Sequence, residues 1–395
     1  MQRTFWYIAP HVTFSTAMAV FDMFVGFYLF RFGTGSFLAP LAFAVAGWLV
    51  VPLGQSIAAS LSRFISLAAC LRLGAIATGM AFASVALFAA ANLPWWSLIP
   101  VALAYGLVRS LYWSARNQVD FHIVRERHSD RYFGYQAASS TAAATALGII
   151  SGIIVERYPS EGYVIVFVMG SCLFLSTVFL VRALPDINGS FSLQNFRSLS
   201  SLNPAFNRVF IASIFRGVSG YGTLPVAIQL FTFSALQREL PVAGFSGSGA
   251  VLALIVGSIV ARIVRPRHRT GIAWGASAIL LALGLALALM PTGFLGSMYL
   301  VLAPMATVLL VAPTLAVDNA IFSHDDSVVA EYIVGREIGM AIGRIASAVP
   351  LMFLLSGTEA IGTYLAFMSL AYPLQVMILV GKRGAVGAET PFRSP

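Results

Sequence analysis

The sequence predicts an all-α polytopic membrane protein of about twelve transmembrane helices, built as two six-helix bundles in a parallel, pseudo-two-fold repeat. Three observations carry that prediction. The composition is 58% hydrophobic and 10% charged over 395 residues, with a mean hydropathy of +0.85, which leaves too little polar surface for a water-soluble domain. Apolar runs of about 20 residues recur along the chain, each long enough to cross a hydrocarbon core of roughly 30 Å. Finally, the arginines and lysines collect in every second gap between runs, and the pattern of one half is echoed in the other.

Six runs fill the first half, at 7–31, 36–61, 66–91, 95–114, 134–155 and 161–182. The first follows Arg3 and extends far past the roughly 7–15 residue core of a signal peptide, so it is expected to stay as a helix. Only 32–35 separates it from the second. Arg63 and Arg72 flank the gap before the third, while Trp95 and Trp96 open the fourth as interfacial anchors. Arg116, Arg125, Arg127 and Arg131 crowd the gap before the fifth, and Arg182 closes the sixth. The segment 184–207, rich in Ser, Asn and Pro, reads as a linker.

The second half repeats the plan at 208–234, 242–263, 270–290, 295–317, 338–356 and 360–381. Arg208 opens it, Arg262, Arg265, Arg267 and Arg269 fill its second gap, Arg336 precedes its fifth run, and Lys382, Arg383 and Arg393 follow its last. The alternate gaps offer only Arg31, Arg157 and Arg238, and those at 91–93 and 291–293 carry no charge. Basic residues resist translocation, so the crowded gaps, the linker and both termini are expected in the cytoplasm of a bacterium, with the runs in its inner membrane. The implied division is an N-terminal bundle over 1–183, the linker 184–207, a C-terminal bundle over 208–382 and a tail at 383–395.

The net charge of +9 is thus a topology signal, and a nucleic-acid partner is not needed to explain it. Cys70 and Cys172 lie inside apolar runs, which argues against a disulfide framework or a zinc site. No phosphate-binding Gly-Lys loop, His-Glu-x-x-His pair or Cys/His cluster is present, so neither enzymatic activity nor a cofactor or metal is expected. Internal repetition supports the two bundles at an offset of about 200 residues. Tyr28-Leu-Phe-Arg-Phe-Gly33 lines up with Gln229-Leu-Phe-Thr-Phe-Ser234, and Arg131-Tyr132 with Glu331-Tyr332.

A 6+6 parallel repeat with a polar central linker resembles the major facilitator superfamily over residues 5–382. Glu331-Tyr-Ile-Val-Gly-Arg-Glu-Ile338, followed by Gly343-Arg344-Ile345, is similar to a series in YqgE-like bacterial permeases. So is the passage from Ala104-Tyr-Gly-Leu107 through Tyr112, Trp113 and Asn117 to Arg131-Tyr-Phe-Gly134. The resemblance implies a central cavity lined by helices 1, 4, 7 and 10. Two departures stand out. The superfamily's Gly-x-Leu-Ala-Asp-Arg signature is reduced to Leu61-Ser62-Arg63, without the Asp that gates its neighbour bundle. Helix 5 reads Leu147-Gly-Ile-Ile-Ser-Gly152, without the Gly-Pro pair of drug/proton antiporters, which weighs against a multidrug exporter.

A charge stranded in a membrane costs at least about 2.5–3.5 kcal/mol on insertion scales, so ionisable groups within the runs are the functional candidates. Asp22 in run 1, Arg109 in run 4 and Arg216 in run 7 fall, by the resemblance, where substrate or protons would pass. Tyr105, Tyr112, Tyr221 and Gln229 are positioned to hydrogen-bond or stack on a ligand. Arg63, Glu331, Arg336, Glu337 and Arg344 read as a gating or structural polar network. Alternatives stay open: Asp22 as a mere structural partner of Arg109, and snorkelling for Arg109 and Arg216. His11 reads as an interfacial group, and Asp318, Asp325, Asp326 and Glu331 as an acidic cytoplasmic patch. Gly148-x-x-x-Gly152 and Gly339-x-x-x-Gly343 suit a sliding bundle interface, and Gly217, Gly220, Gly222 and Pro225 mark a broken helix 7.

These readings converge on a secondary active transporter, working as a monomer by alternating access. Its partners are membrane lipids, a small organic solute of anionic or amphiphilic character, and protons as the coupling ion, with Asp22 as the proton-accepting carboxylate. The alternative is a lipid translocase, or a non-transporting membrane factor built on the same plan.

Overall fold

The structure, a computed structural model, describes residues 2–123, 129–159, 161–184, 186–219, 222–263, 268–289, 292–322, 328–354 and 358–380. Backbone groups in lipid have no water to bond with, and a helix satisfies them within its own segment. The first half accordingly folds as α1 (Gln2–Leu29), α2 (Leu38–Leu49), α3 (Val51–Leu61), α4 (Leu67–Ala90), α5 (Ile99–Ile123), α6 (Ser129–Arg157) and α7 (Glu161–Leu180). A π turn, Phe30–Thr34, extends α1 and ends at Gly35, whose φ of +62° is a left-handed position that suits glycine. α2 and α3 form one span, interrupted at Val50 ahead of Pro52.

The linker holds its own short helix, α8 (Leu193–Leu202), capped by the Ser192 side chain. The second half follows as α9 (Pro204–Val218), α10 (Thr223–Leu236), α11 (Glu239–Ile263), α12 (Arg269–Leu289), α13 (Gly293–Phe322), α14 (Val329–Phe353), α15 (Thr358–Ser369) and α16 (Ala371–Val380). α9 with α10, and α15 with α16, each make one span. The break after Val218 falls in the glycine-rich stretch that marked it, although Gly220 and Tyr221 themselves lie outside the described residues. Eleven segments are long and apolar enough to cross a membrane among the described residues. α14 completes the set of twelve and misses that measure because it carries Glu331, Arg336, Glu337 and Arg344.

Several boundaries are corrected. Helix 4 runs to Ile123, well past 114, and helix 11 begins at Val329, ahead of 338. Charged residues that hydropathy assigned to loops are therefore helical. The seventh span starts at Pro204, inside the expected linker 184–207. The tail at 383–395 lies outside the described residues.

Alternation of the spans puts the start of α1, the linker and the end of α16 on one face, called here the linker face. Within the first half α4 packs between α5 and α7, and α1 lies on α6 and α7. The halves meet chiefly through α6 against α11 and through α2 and α3 against α14. Small residues make the first of these seams: Gly152 backs onto Leu240 and Ala243, and Gly247 onto Ile149 and Thr145. Gly339 and Gly343 of α14 instead face the α9 backbone at Phe210 and Ile214, so that pair packs a half internally and is not a sliding interface. The linker is strapped down on both halves: Gly189 N–H to Ser62 O at 2.8 Å, Leu67 N–H to Ile187 O at 2.7 Å, and Ser192 N–H to Glu331 Oε1 at 2.6 Å.

Candidate functional site

The halves touch at both faces of the membrane span. On the far face, opposite the linker, Arg31 Nη1 lies 2.6 Å from Glu239 Oε1, which also accepts from Tyr163 Oη at 2.7 Å. Arg238 and Glu156 form a second ion pair between halves, and Phe27 stacks on Phe233 with centroids 4.4 Å apart. On the linker face the Asn117 amide donates to Glu337 Oε1 at 3.3 Å, and Phe191 and Ala59 pack with Ala330 and Val334. Between these contacts lies a cavity of about 650 Å³.

At mid-span α1 and α5 present Asp22, Tyr105 and Arg109. Asp22 accepts from Tyr105 Oη at 3.1 Å, and the Arg109 guanidinium lies over the Tyr105 ring, 5.0 Å from its centroid. Arg109 does not snorkel, since it is buried and faces the cavity. Asp22 is deep in the bundle and nevertheless exposed, because the surface it exposes is the cavity wall. From the other half α14 sends Ile333, Arg336, Glu337, Met340 and Arg344 into the same space, one stripe at helical spacing. Arg344 is within electrostatic range of Asp22, Arg109 and Glu337, so charges of both halves meet here, with Glu337 about 10.5 Å along α14 toward the linker face. Helix 11 is thus a cavity wall here, beyond the four helices that the resemblance implied.

Other candidates fall elsewhere. Arg216 lines the cavity but is committed to Asp318, Nη1 to Oδ2 at 2.6 Å, with both side chains buried. Asp318 sits within α13 and belongs to no surface patch, while Asp325 and Asp326 lie outside the described residues. Tyr112 is a packing residue, stacked on Phe14 and donating to Pro10 O at 3.1 Å. Gln229 does reach the cavity, and Tyr221 lies outside the described residues. Arg63 is exposed at the end of α3, apart from the network in which it was grouped, and Glu331 holds the linker. His11 is corrected from the interface to a buried position in the cavity wall, edge-on to Trp113.

Sequence reasoning missed one network entirely. Arg116, read as a cytoplasmic topology charge, is fully buried and pairs with Asp120 at 2.6 Å. It also donates to Tyr132 Oη at 2.6 Å and to Tyr7 O at 2.9 Å. The i, i+4 spacing of Arg116 and Asp120 was the available signal. No group of three His, Cys, Asp or Glu is set to hold a metal among the described residues.

Two strapped six-helix halves around a charged interior cavity define a polytopic helical membrane protein. The chain has the major facilitator superfamily fold. Solved structures similar to it include a proton:xylose symporter of that superfamily bound to a bromodeoxyglucose, at a TM-score of 0.70 and 13% identity over 96% of each chain. The Escherichia coli fucose:proton symporter matches at 0.67 and 14%, over 96% of this chain and 98% of that one. The human organic anion transporter MFSD10 matches at 0.65 and 12%, over 96% and 99%. No family model matches the sequence, and no curated protein matches it significantly. The likeness to YqgE-like permeases rests on the sequence motifs alone.

Proposed function

We propose that this chain is a secondary transporter that moves a small organic anion across a bacterial inner membrane by alternating access of its halves. The observation that carries the reading is the meeting of Asp22 and Arg109 with Arg344, deep in the span and inside a cavity shared by the halves that Glu337 also lines. Charge at that depth is costly, and in a membrane protein it marks a solute path. Arg109, Arg336 and Arg344 stand against Asp22 and Glu337 on the cavity wall, while Arg216 and Arg116 are matched by Asp318 and Asp120. With the carboxylates ionised, the wall carries one more positive than negative charge. A carboxylate or phosphate would take charge-assisted hydrogen bonds from Arg109 and Arg344, and would tie the halves together as it did so.

Asp22 faces the cavity with a single phenol hydrogen bond, which suits it to exchange a proton with the solute path. Proton symporters and an organic anion transporter among the fold's neighbours support transport as the activity. The basic excess on the linker face supports a cytoplasmic location for that face and for both termini. One chain supplies both walls of the cavity, so a monomer suffices.

Uptake of labelled organic anions into proteoliposomes under an imposed pH gradient tests the reading. Wild type should accumulate at least one of them. Arg109→Gln and Arg344→Gln should cut that uptake about tenfold or more, the loss of one charge-assisted bond, without moving the unfolding midpoint comparably. Asp22→Asn should lose gradient-driven accumulation and keep exchange. Accumulation unchanged in Asp22→Asn removes that residue from coupling. Stabilisation by lipids alone, with no solute flux, would instead favour a lipid translocase or non-transporting factor.

A further inference from the structure

The cavity wall is layered along the span, and the layer beside the charged one has a chemistry of its own. Three helices bring a charge to mid-span: α1 with Asp22, α5 with Arg109 and α14 with Arg344. Four residues toward the linker face on each helix, one turn or about 6 Å, stand Met18, Trp113 and Met340, and all three line the cavity. The charges of both halves are thus followed by two thioethers and an indole. Met18 and Trp113 are only half-buried, while Met340 lies deeper in the wall at 6% exposure. Trp113 is held by three rings, His11, Phe14 and Tyr112, which meet it nearly at right angles with centroids 5.3, 6.4 and 6.2 Å away.

A polar layer follows on the linker side. One turn beyond Trp113, Asn117 donates to Glu337 Oε1 of the other half at 3.3 Å, and Glu337 precedes Met340 by three residues. A solute held between Arg109 and Arg344 therefore has about 10–12 Å of helical rise before the point where the halves touch. Arg216 also lines the cavity, but it is committed to Asp318 at 2.6 Å.

An alkyl tail would gain burial from the middle layer and nothing more. An aromatic ring gains a further attraction, because thioether sulfur sits favourably about 5 Å from a ring and an indole offers a π system to pack against. Methionine is unbranched and adapts to its occupant, so a fixed Trp113 sets the ring's orientation and Met18 and Met340 fit around it. Length selects within this class. Two methylenes between a carboxylate and a phenyl ring put the ring centre about 5 Å from the carboxylate carbon, close to the one-turn step between the layers.

We propose that Met18, Trp113 and Met340 form an aromatic subsite, and that the solute is an arylalkanoic acid with its carboxylate among the charges and its ring one helical turn nearer the linker face. The proposal rests on the reading of the cavity as an anion path, and names the class of anion.

Isothermal titration calorimetry on the full-length protein in nanodiscs tests it with four probes: 3-phenylpropionate, 3-cyclohexylpropionate of the same carbon count without the π system, hexanoate, and neutral 3-phenylpropanol. Wild type should bind 3-phenylpropionate at least about fivefold more tightly than either other acid, the effect of one good aromatic contact. Trp113→Leu should bring 3-phenylpropionate and 3-cyclohexylpropionate within about twofold of each other, and Trp113→Phe should keep part of the preference. Where Trp113→Leu does not fold, Met18→Leu reads the same ratio with volume conserved and should lower it about twofold. Equal binding of the three acids by wild type, or a ratio that neither Trp113→Leu nor Met18→Leu lowers, overturns the aromatic subsite and leaves the anion path standing. Binding of 3-phenylpropanol as tight as that of the acid, and undiminished in Arg109→Gln, keeps the subsite and removes the anionic reading. Absence of binding by all four probes overturns both.

Discussion

Arg216→Ala separates the two roles that a buried arginine can have in this cavity wall. Its guanidinium sits 2.6 Å from Asp318 Oδ2, with side-chain exposures of 4% and 1%. Charge centres about 4 Å apart attract by about 4 kcal/mol at an effective dielectric of roughly 20. Removing one member leaves the other charge buried, and such changes cost about 3–5 kcal/mol. Arg216→Ala should therefore destabilise the protein by about 3–5 kcal/mol, and Asp318→Asn by a comparable or smaller amount. The double variant Arg216→Met with Asp318→Leu should recover most of the loss, because no charge is stranded. The assay is a double-mutant cycle on reversible unfolding in mixed micelles, with a coupling of at least about 2 kcal/mol expected for a pair in contact. Additive effects, with coupling below about 0.5 kcal/mol, would refute the pair as a structural unit. A normally stable Arg216→Ala without transport would return Arg216 to the substrate set.

The glycine seams make a second prediction. A Cβ at Gly106 would fall on the Gly47 carbonyl where α5 meets α2, so Gly106→Ala should cost about 1–3 kcal/mol in thermal unfolding, whereas Gly271→Ala, which meets nothing within 4 Å, should be neutral or gain up to about 1 kcal/mol. A third concerns the far face, where Arg31 is 41% exposed and its pair with Glu239 is worth about 0.2–1 kcal/mol. Glu239→Gln should raise labelling of Gln229→Cys by an impermeant maleimide up to about fivefold, in a Cys172→Ser background, and an unchanged rate would assign closure of that face to Phe27 and Phe233 instead.

The helices were legible because a hydrocarbon solvent demands long apolar runs, and the two halves because the basic gaps repeat. Hydropathy fails where a charge lies near the end of a run, since the window reads it as the start of a loop. Arg116, Asp120 and Asp318 were lost in that way, and so were the first nine residues of α14, 329–337. Pairing makes such charges tolerable inside the span, and the partners come from other helices or from the next turn, which no window senses. Asp22, Arg109 and Arg344 were visible because nothing but depth in the span explains them. His11 was hidden by its nearness to the chain start, which stands for the membrane surface only if α1 begins there.

The imbalance on the cavity wall has an electrical consequence. With Asp22 and Glu337 ionised, the empty cavity carries one net positive charge between gates at the two faces, and a bound monoanion cancels it. On the proposed proton-coupled cycle a proton on Asp22 accompanies the monoanion and restores the one positive charge, so both reorientations would move it through the membrane field, worth about 2.3 kcal/mol per 100 mV. Membrane voltage would thereby drive one step and oppose the other equally, and the cycle as a whole would move no charge.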